Sequence, residues 1–181
     1  MRDFRRNRLA LSTVVTTLII LVVSVLLAGV VSYFAINVTS TRVQEEAVHM
    51  SKQHIWCDGS SNAQGAFILI NTGGRDLVLD KISVRGQACD WTNVYYNVTT
   101  AAISDDLAHN TTLADGGTIT IGTDYTFTQA STDITVKSGY TIIVYIDSPD
   151  SITVNDIGLT VGTTAHTSQA MYYKECNVEA V

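Results

Sequence analysis

The sequence is short of charge, of proline and of cysteine, and each shortage narrows what the chain can be. Charged residues make up 15% of its 181 residues against 46% hydrophobic, and the mean hydropathy is +0.19. A disordered chain is not this apolar, and so uneven a distribution points to a membrane segment. Eleven basic residues against seventeen acidic ones leave a net charge of −6. That balance argues against nucleic acid as a partner. The length suits one ordinary domain plus an anchor, not a multidomain enzyme. One proline and twelve glycines, set among many threonines, suggest a β-rich body.

Chemical motifs are scarce as well. The sequence has no GxSxG, no phosphate loop, no HExxH and no paired cysteine motif. Asp105 and Asp106 are adjacent, so on a strand they point to opposite faces. Asp147, Asp150 and Asp156 gather around a turn without the spacing of an EF-hand. His49, His54, His109 and His166 lack zinc-ligand spacing, and Trp56 and Trp91 read as packing residues. No catalytic residue, metal ligand or cofactor is expected, and the chain does not read as an enzyme.

What is present is an asymmetry. Residues 1–10 carry four arginines against Asp3, a local +3, while the remaining residues hold seven basic and sixteen acidic side chains, or −9. A basic head before an acidic body is the pattern of an N-terminus held in the cytoplasm with the body outside. Between Arg8 and Arg42 there is no charge at all. The apolar stretch 11–36, as a helix, reaches about 39 Å, beyond the ~30 Å of bilayer hydrocarbon. A secretory signal core is only about 7–15 residues long, so this stretch reads as a retained helix. Its β-branched residues yield to the demand that a backbone in lipid satisfy its own hydrogen bonds.

Thr13, Thr17, Ser24, Ala28, Ser32 and Ala35 fall on one arc of about 100° on that helix. Small side chains in a stripe let helices approach closely, although Ser and Thr also bond back to the preceding turn. Beyond the membrane surface Val43, Ala47, Met50 and His54 keep spacings of four, three and four. This seam predicts an amphipathic continuation over 37–55, with Glu45 and Glu46 in solvent. From about Cys57 the texture becomes short runs of Val, Ile, Thr and Tyr between turn residues. The expected strands are 66–71, 77–85, 93–98, 118–121, 124–128, 133–136, 140–146, 157–162 and 171–175, which suit an antiparallel sandwich or barrel-like domain.

Asn37, Asn97 and Asn110 open N-x-Thr triplets, acceptor sites for N-glycosylation on an exported chain. Asn97 and Asn110 lie in polar β segments and are the expected carriers; Asn37 lies on the helix. Three cysteines allow one disulfide and leave one thiol. Cys89–Cys176 is the expected pair because both follow a strand within the head, and Cys57–Cys176 is the competitor.

The N-terminal run Arg5-Arg6-Asn7-Arg8-Leu9-Ala10, followed by Leu11-Ser12-Thr13-Val14-Val15, resembles the class III signal peptide of archaeal type IV pilins. The resemblance implies a cut between Ala10 and Leu11 by a membrane prepilin peptidase, just ahead of the apolar helix. Bacterial pilins carry a glutamate where this chain has Val15, and Ala10 replaces the commoner glycine. The implied layout is α+β, a long N-terminal hydrophobic helix followed by an antiparallel β-sandwich head. In residue terms this is 1–10 signal peptide, 11–55 helix and 56–181 head. The implied function is a structural pilus subunit for adhesion, closer in wording to a pilin than to an archaellin. Its partners are its own copies through the helices, the prepilin peptidase, the pilus assembly machinery and, before assembly, the membrane. The alternative is a single-span anchored extracellular binding module that does not polymerise.

Overall fold

A computed structural model of the chain describes residues 4–43, 45–60 and 62–181, without the side chains of residues 4–10, 42 and 43. Residues 1–3 of the expected signal peptide, and the side chain of Ala10 at its expected cut, thus lie outside that description. The chain divides into two units, Met1–Val43 and Gln44–Val181.

The first unit is one helix, α1 (Phe4–Val43), of 40 residues. It holds no proline and, from Leu11 to Thr41, no charged side chain. Every side chain over that span is exposed, so α1 has no core of its own. It is the one helix among the described residues long and apolar enough to cross a membrane.

The second unit is strand-rich, so the fold is α+β. The helix does not continue to residue 55 as the apolar seam suggested. It ends at Val43, and β1 (Val48–Cys57) begins five residues later. A bulge caused the misreading. Lys52 adopts φ 53° and the register with β2 (Ala63–Asn71) shifts between Ser51 and His54. Met50 faces one apolar cluster before the bulge, and Ile55 and Cys57 face it afterwards. One extra residue turns a period of two into spacings that imitate a helix. Glu46 is not solvated either. Its carboxylate accepts bonds from the Thr167 and Tyr172 hydroxyls, the latter at 3.1 Å.

The remaining strands are β3 (Leu77–Val84), β4 (Gln87–Ala88), β5 (Val94–Thr99), β6 (Thr118–Ile121), β7 (Thr123–Thr126), β8 (Thr128–Gln129), β9 (Ile134–Val136), β10 (Thr141–Asp147), β11 (Thr160–Thr167) and β12 (Met171–Ala180). Instead of two separate sheets, one hydrogen-bonded path runs β4-β3-β11-β12-β1-β2-β10-β5-β8, with β9 also on β3. The hairpin β6–β7 stands apart. Pairings among the described residues are antiparallel with one exception, the parallel contact of β1 with β12.

The sheet curls, and its two halves share a core. From one half come Phe67, Leu69, Ile142, Val144 and Ile146; from the other come Leu77, Leu79, Ile82, Val84, Val161 and Ala165. A second cluster forms on the outer face of β2 and β10, around Ala66, Ile68, Ile143 and Tyr145. Both strands are therefore buried on both faces, which is why each reads as an unbroken apolar run. The second cluster is covered by Leu107, Ile119, Ile121 and Phe127. Burying one such side chain fully contributes about 1.5–3 kcal/mol.

Candidate functional site

Two features can carry function, the bare surface of α1 and a polar clamp on the β unit. Along α1, Leu11–Thr41 counts 31 residues, about 46 Å of helix against ~30 Å of hydrocarbon. The six stripe residues Thr13, Thr17, Ser24, Ala28, Ser32 and Ala35 are all exposed. Thr17 Oγ1 donates to the Val14 carbonyl at 2.9 Å, and Ser24 Oγ to the Ile20 carbonyl at 2.7 Å. These hydroxyls are satisfied inside the helix, so the stripe offers close approach at no desolvation cost to them. The expected cut between Ala10 and Leu11 falls within the backbone of α1.

The clamp holds the chain between β5 and β6 over the second cluster. Lys52, turned by its bulge, donates from Nζ to the carbonyls of Ile103, Ser104 and Asp105. His54 stacks on Trp56 at 5.2 Å between ring centres. Its Nε2 lies 3.1 Å from Asp106 and its Nδ1 lies 3.4 Å from Glu179. Burial works against the Asp106 carboxylate, yet the His54 ring and the Leu107 N–H hold its pKa below the ordinary value. Gln64 and the backbone of Asn110 bond reciprocally, at 2.8 and 2.9 Å. Tyr145 donates to the Ala108 carbonyl at 3.0 Å, and burial pushes its hydroxyl pKa up to about 12. Sequence reasoning missed Lys52, Gln64 and Tyr145 in these roles. The partners lie tens of residues away and share no local motif.

Among the described residues no three His, Cys, Asp or Glu side chains are grouped to hold a metal ion. Asp156 of the turn cluster is committed elsewhere. It accepts from the Thr153 N–H at 2.8 Å and hydroxyl at 2.9 Å, and from Arg85 at 2.7 Å. Those bonds, led by the Thr153 N–H, lower its pKa.

The three N-x-Thr asparagines have different surroundings. Asn37 Nδ2 donates to the Tyr33 carbonyl within α1 at 3.0 Å. Asn97 Nδ2 donates to the Thr126 carbonyl at 2.7 Å, and its Oδ1 is buried without a partner. Asn110 lines a pocket of about 340 Å³ with Asp58, Asn62, Gln64, His109, Asp147 and Ser148.

The expected Cys89–Cys176 disulfide is not formed: Cys57, Cys89 and Cys176 are all free thiols. Cys89 bonds through its N–H to Ile82 of β3, whereas Cys176 lies on β12, with β3 and β11 between them. Three strand spacings amount to about 14 Å along the sheet, more than twice the Cα separation a disulfide takes. The competing pair fails by register, because Cys57 stands opposite Ala180, four residues past Cys176. Burial pushes the Cys89 and Cys176 thiols up to about 11 and raises Cys57 as well.

No protein-family model matches the chain, and no curated protein does. Among solved structures it is similar to the apo PmoF2 PCuAC domain, at 13% identity and a TM-score of 0.42, over 75% of this chain and 94% of that one. The copper-bound PCuAC domain from PmoF2 is 13% identical with a TM-score of 0.34, over 76% and 99%. Spo0M, a sporulation control protein from Bacillus subtilis, is 12% identical with a TM-score of 0.31, over 75% and 50%. All three scores fall below 0.5, so nothing about this chain rests on them.

Proposed function

We propose that the chain is a subunit of an archaeal type IV pilus-like filament, held in the membrane as a precursor and assembled at the cell surface after cleavage between Ala10 and Leu11. In this reading the helices pack together in the fibre core. The β unit is the head displayed outside, glycosylated and used for adhesion. The observation that supports it most is the division of labour between the units. The β unit buries two apolar clusters of its own, while α1 exposes every described side chain from Leu11 to Thr41. Such a surface takes lipid or copies of itself as its surroundings.

The proposed mechanism follows from charge. Before the cut, Arg2, Arg5, Arg6 and Arg8 hold the N-terminus at the cytoplasmic face, since burying each in hydrocarbon costs about 2.5–3.5 kcal/mol. After the cut, residues 11–36 carry no charge except the new amino terminus. Lipid tails are about as apolar as leucine, so the drive comes from close packing along Thr17, Ser24, Ala28 and Ser32 together with an assembly motor. Electron microscopy of sheared surface filaments, with mass spectrometry of their subunit, tests the reading. Filaments built from residues 11 onward are expected, and Ala10→Lys leaves full-length protein in the membrane. Filaments that retain residues 1–10 would sink the proposal.

A second reading is favoured by the internal bonds of Thr17 and Ser24, which leave α1 compatible with lipid as a single span. In that reading the chain is an anchored extracellular module that does not polymerise. Intact protein confined to membranes, with no subunit in the sheared fraction, supports it.

A further inference from the structure

We infer that Asn110 is the position of the β unit that carries an N-linked sugar, that Asn97 stays bare, and that the first sugar ring seats in the pocket beside Asn110. The inference rests on the exported placement of the β unit proposed above. The linkage is formed when the carboxamide Nδ2 attacks the anomeric carbon of a lipid-phosphate-linked sugar. A C–N bond forms, the sugar–phosphate bond breaks, the lipid phosphate leaves, and Nδ2 gives up a proton. Nothing is oxidised or reduced. The acceptor must therefore present Nδ2, and the fold decides which asparagine can.

At Asn110 the carboxamide is turned the right way. Its Oδ1 accepts from the Thr112 N–H at 2.7 Å and from the Thr112 hydroxyl at 3.2 Å. The oxygen is thereby fixed, and Nδ2 makes no hydrogen bond among the described residues. Asn97 is the reverse case. It sits in mid-strand opposite Ile143 of β10, and its Nδ2 is spent on the Thr126 carbonyl at 2.7 Å. Freeing that nitrogen strips a partner from the carbonyl next to the second cluster, while Oδ1 is already buried and unpaired. Asn37 lies on α1, outside the β unit, and its Nδ2 is spent on the Tyr33 carbonyl at 3.0 Å.

The pocket supplies the second part. Its volume of about 340 Å³ is at the lower end of small-ligand pockets, which suits one sugar ring and not an extended chain. Asp147, Ser148, Thr111 and His109 line it, and their side chains make no hydrogen bond among the described residues. A carboxylate, two hydroxyls and an imidazole are the groups that pair with ring hydroxyls. Gln64 holds the backbone of Asn110 at the rim from both sides of its amide, so a ring attached there begins next to its seat.

The test uses the full chain from its own cells. Cleavage before aspartate separates the two asparagines, because Asp105 and Asp106 lie between them. Mass spectrometry is expected to find sugar on the peptide from Asp106 and none on the peptide from Asp90. A bare Asn110, or an occupied Asn97, overturns the inference. Protease shaving of intact cells separates this from the functional reading. A head that is shaved off yet bare refutes the sugar alone, and a protected head refutes the exported placement. The seat is read by melting. Native protein should melt several degrees above the same chain made in a host without the glycosylation machinery, and Asn110→Asp, which keeps the acceptor for Thr112, should abolish that gap. An occupied Asn110 with no gap refutes the seat.

Discussion

Gly73→Ala should damage the β unit far more than a glycine-to-alanine change ordinarily does. The chain entering the sheet passes over this residue at close range. A Cβ on Gly73 would stand 2.7 Å from the Ala47 amide nitrogen and 2.8 Å from the Glu45 carbonyl oxygen. Both are backbone atoms and neither can rotate away, so residues 45–47 would have to lift. In lifting they lose the bonds from the Thr72 and Gly73 N–H groups to the Ala47 carbonyl, both 2.9 Å, and from the Thr72 hydroxyl at 3.1 Å. At about 1 kcal/mol net for each bond, the loss is about 3 kcal/mol. For a unit of this size that lowers the melting temperature by about 10 °C. Gly59→Ala is the control, because a Cβ there meets nothing within 4 Å. It should be neutral or stabilise by up to about 1 kcal/mol through the unfolded chain. Thermal melts of the full chain in detergent, followed by near-ultraviolet circular dichroism, measure both. If the two variants melt together, the close approach at Gly73 is not what holds the entry segment.

Tyr145→Phe keeps the packing of the second cluster and deletes the bond to the Ala108 carbonyl; it should cost about 1–2 kcal/mol in urea melts and speed hydrogen exchange over residues 103–110. An unchanged exchange pattern would remove the clamp role. The Asp156 carboxylate has a lowered pKa in the fold, so its contribution is complete above the unfolded value of about 3.9 and disappears as pH falls through the folded one. The stability gap between the natural chain and Asp156→Asn should therefore be constant from pH 7 to 5 and close below about pH 4; a gap that widens on acidification contradicts the assignment. The three thiols should resist alkylation at pH 8 while folded and all react once unfolded, with no cross-linked peptide on non-reducing digestion. A Cys89–Cys176 peptide would refute the sheet register at that edge. On α1, Ala28→Leu with Ser32→Leu should leave membrane insertion and head melting unchanged and abolish filaments; filaments of normal yield would dismiss the stripe.

The sequence was most readable where one physical demand acted alone. The uncharged run from Leu11 gave the helix, and the doubly buried β2 and β10 showed as apolar runs. Where a bulge intervened, the pattern misled. In β1 the extra residue at Lys52 imitated helical spacing. In β3 the register shift opposite His166 and Thr167 changed the buried set from Leu77 and Leu79 to Ile82 and Val84. The strand expected at 157–162 begins only at Thr160, because Gly158 takes φ 84° in a turn. The clamp was not legible at all. Lys52 serves carbonyls more than fifty residues away, and any residue can supply a carbonyl. For the asparagines the triplets were visible, but the bond that occupies Asn97 comes from Thr126 on another element.

The place of β1 in the sheet governs how the β unit takes a pull. β1 receives the chain from α1, and it is not an edge strand. β2 flanks it from Val48 to Cys57, and β12 runs alongside at Ile55–Cys57. An edge strand tugged from one end peels, one bond at a time. Over Val48–His54 β1 is flanked by β2 alone, so bonds there can give way singly. At Ile55–Cys57 the strand is held on both flanks, and that doubly paired end is where peeling of the first strand meets a stop.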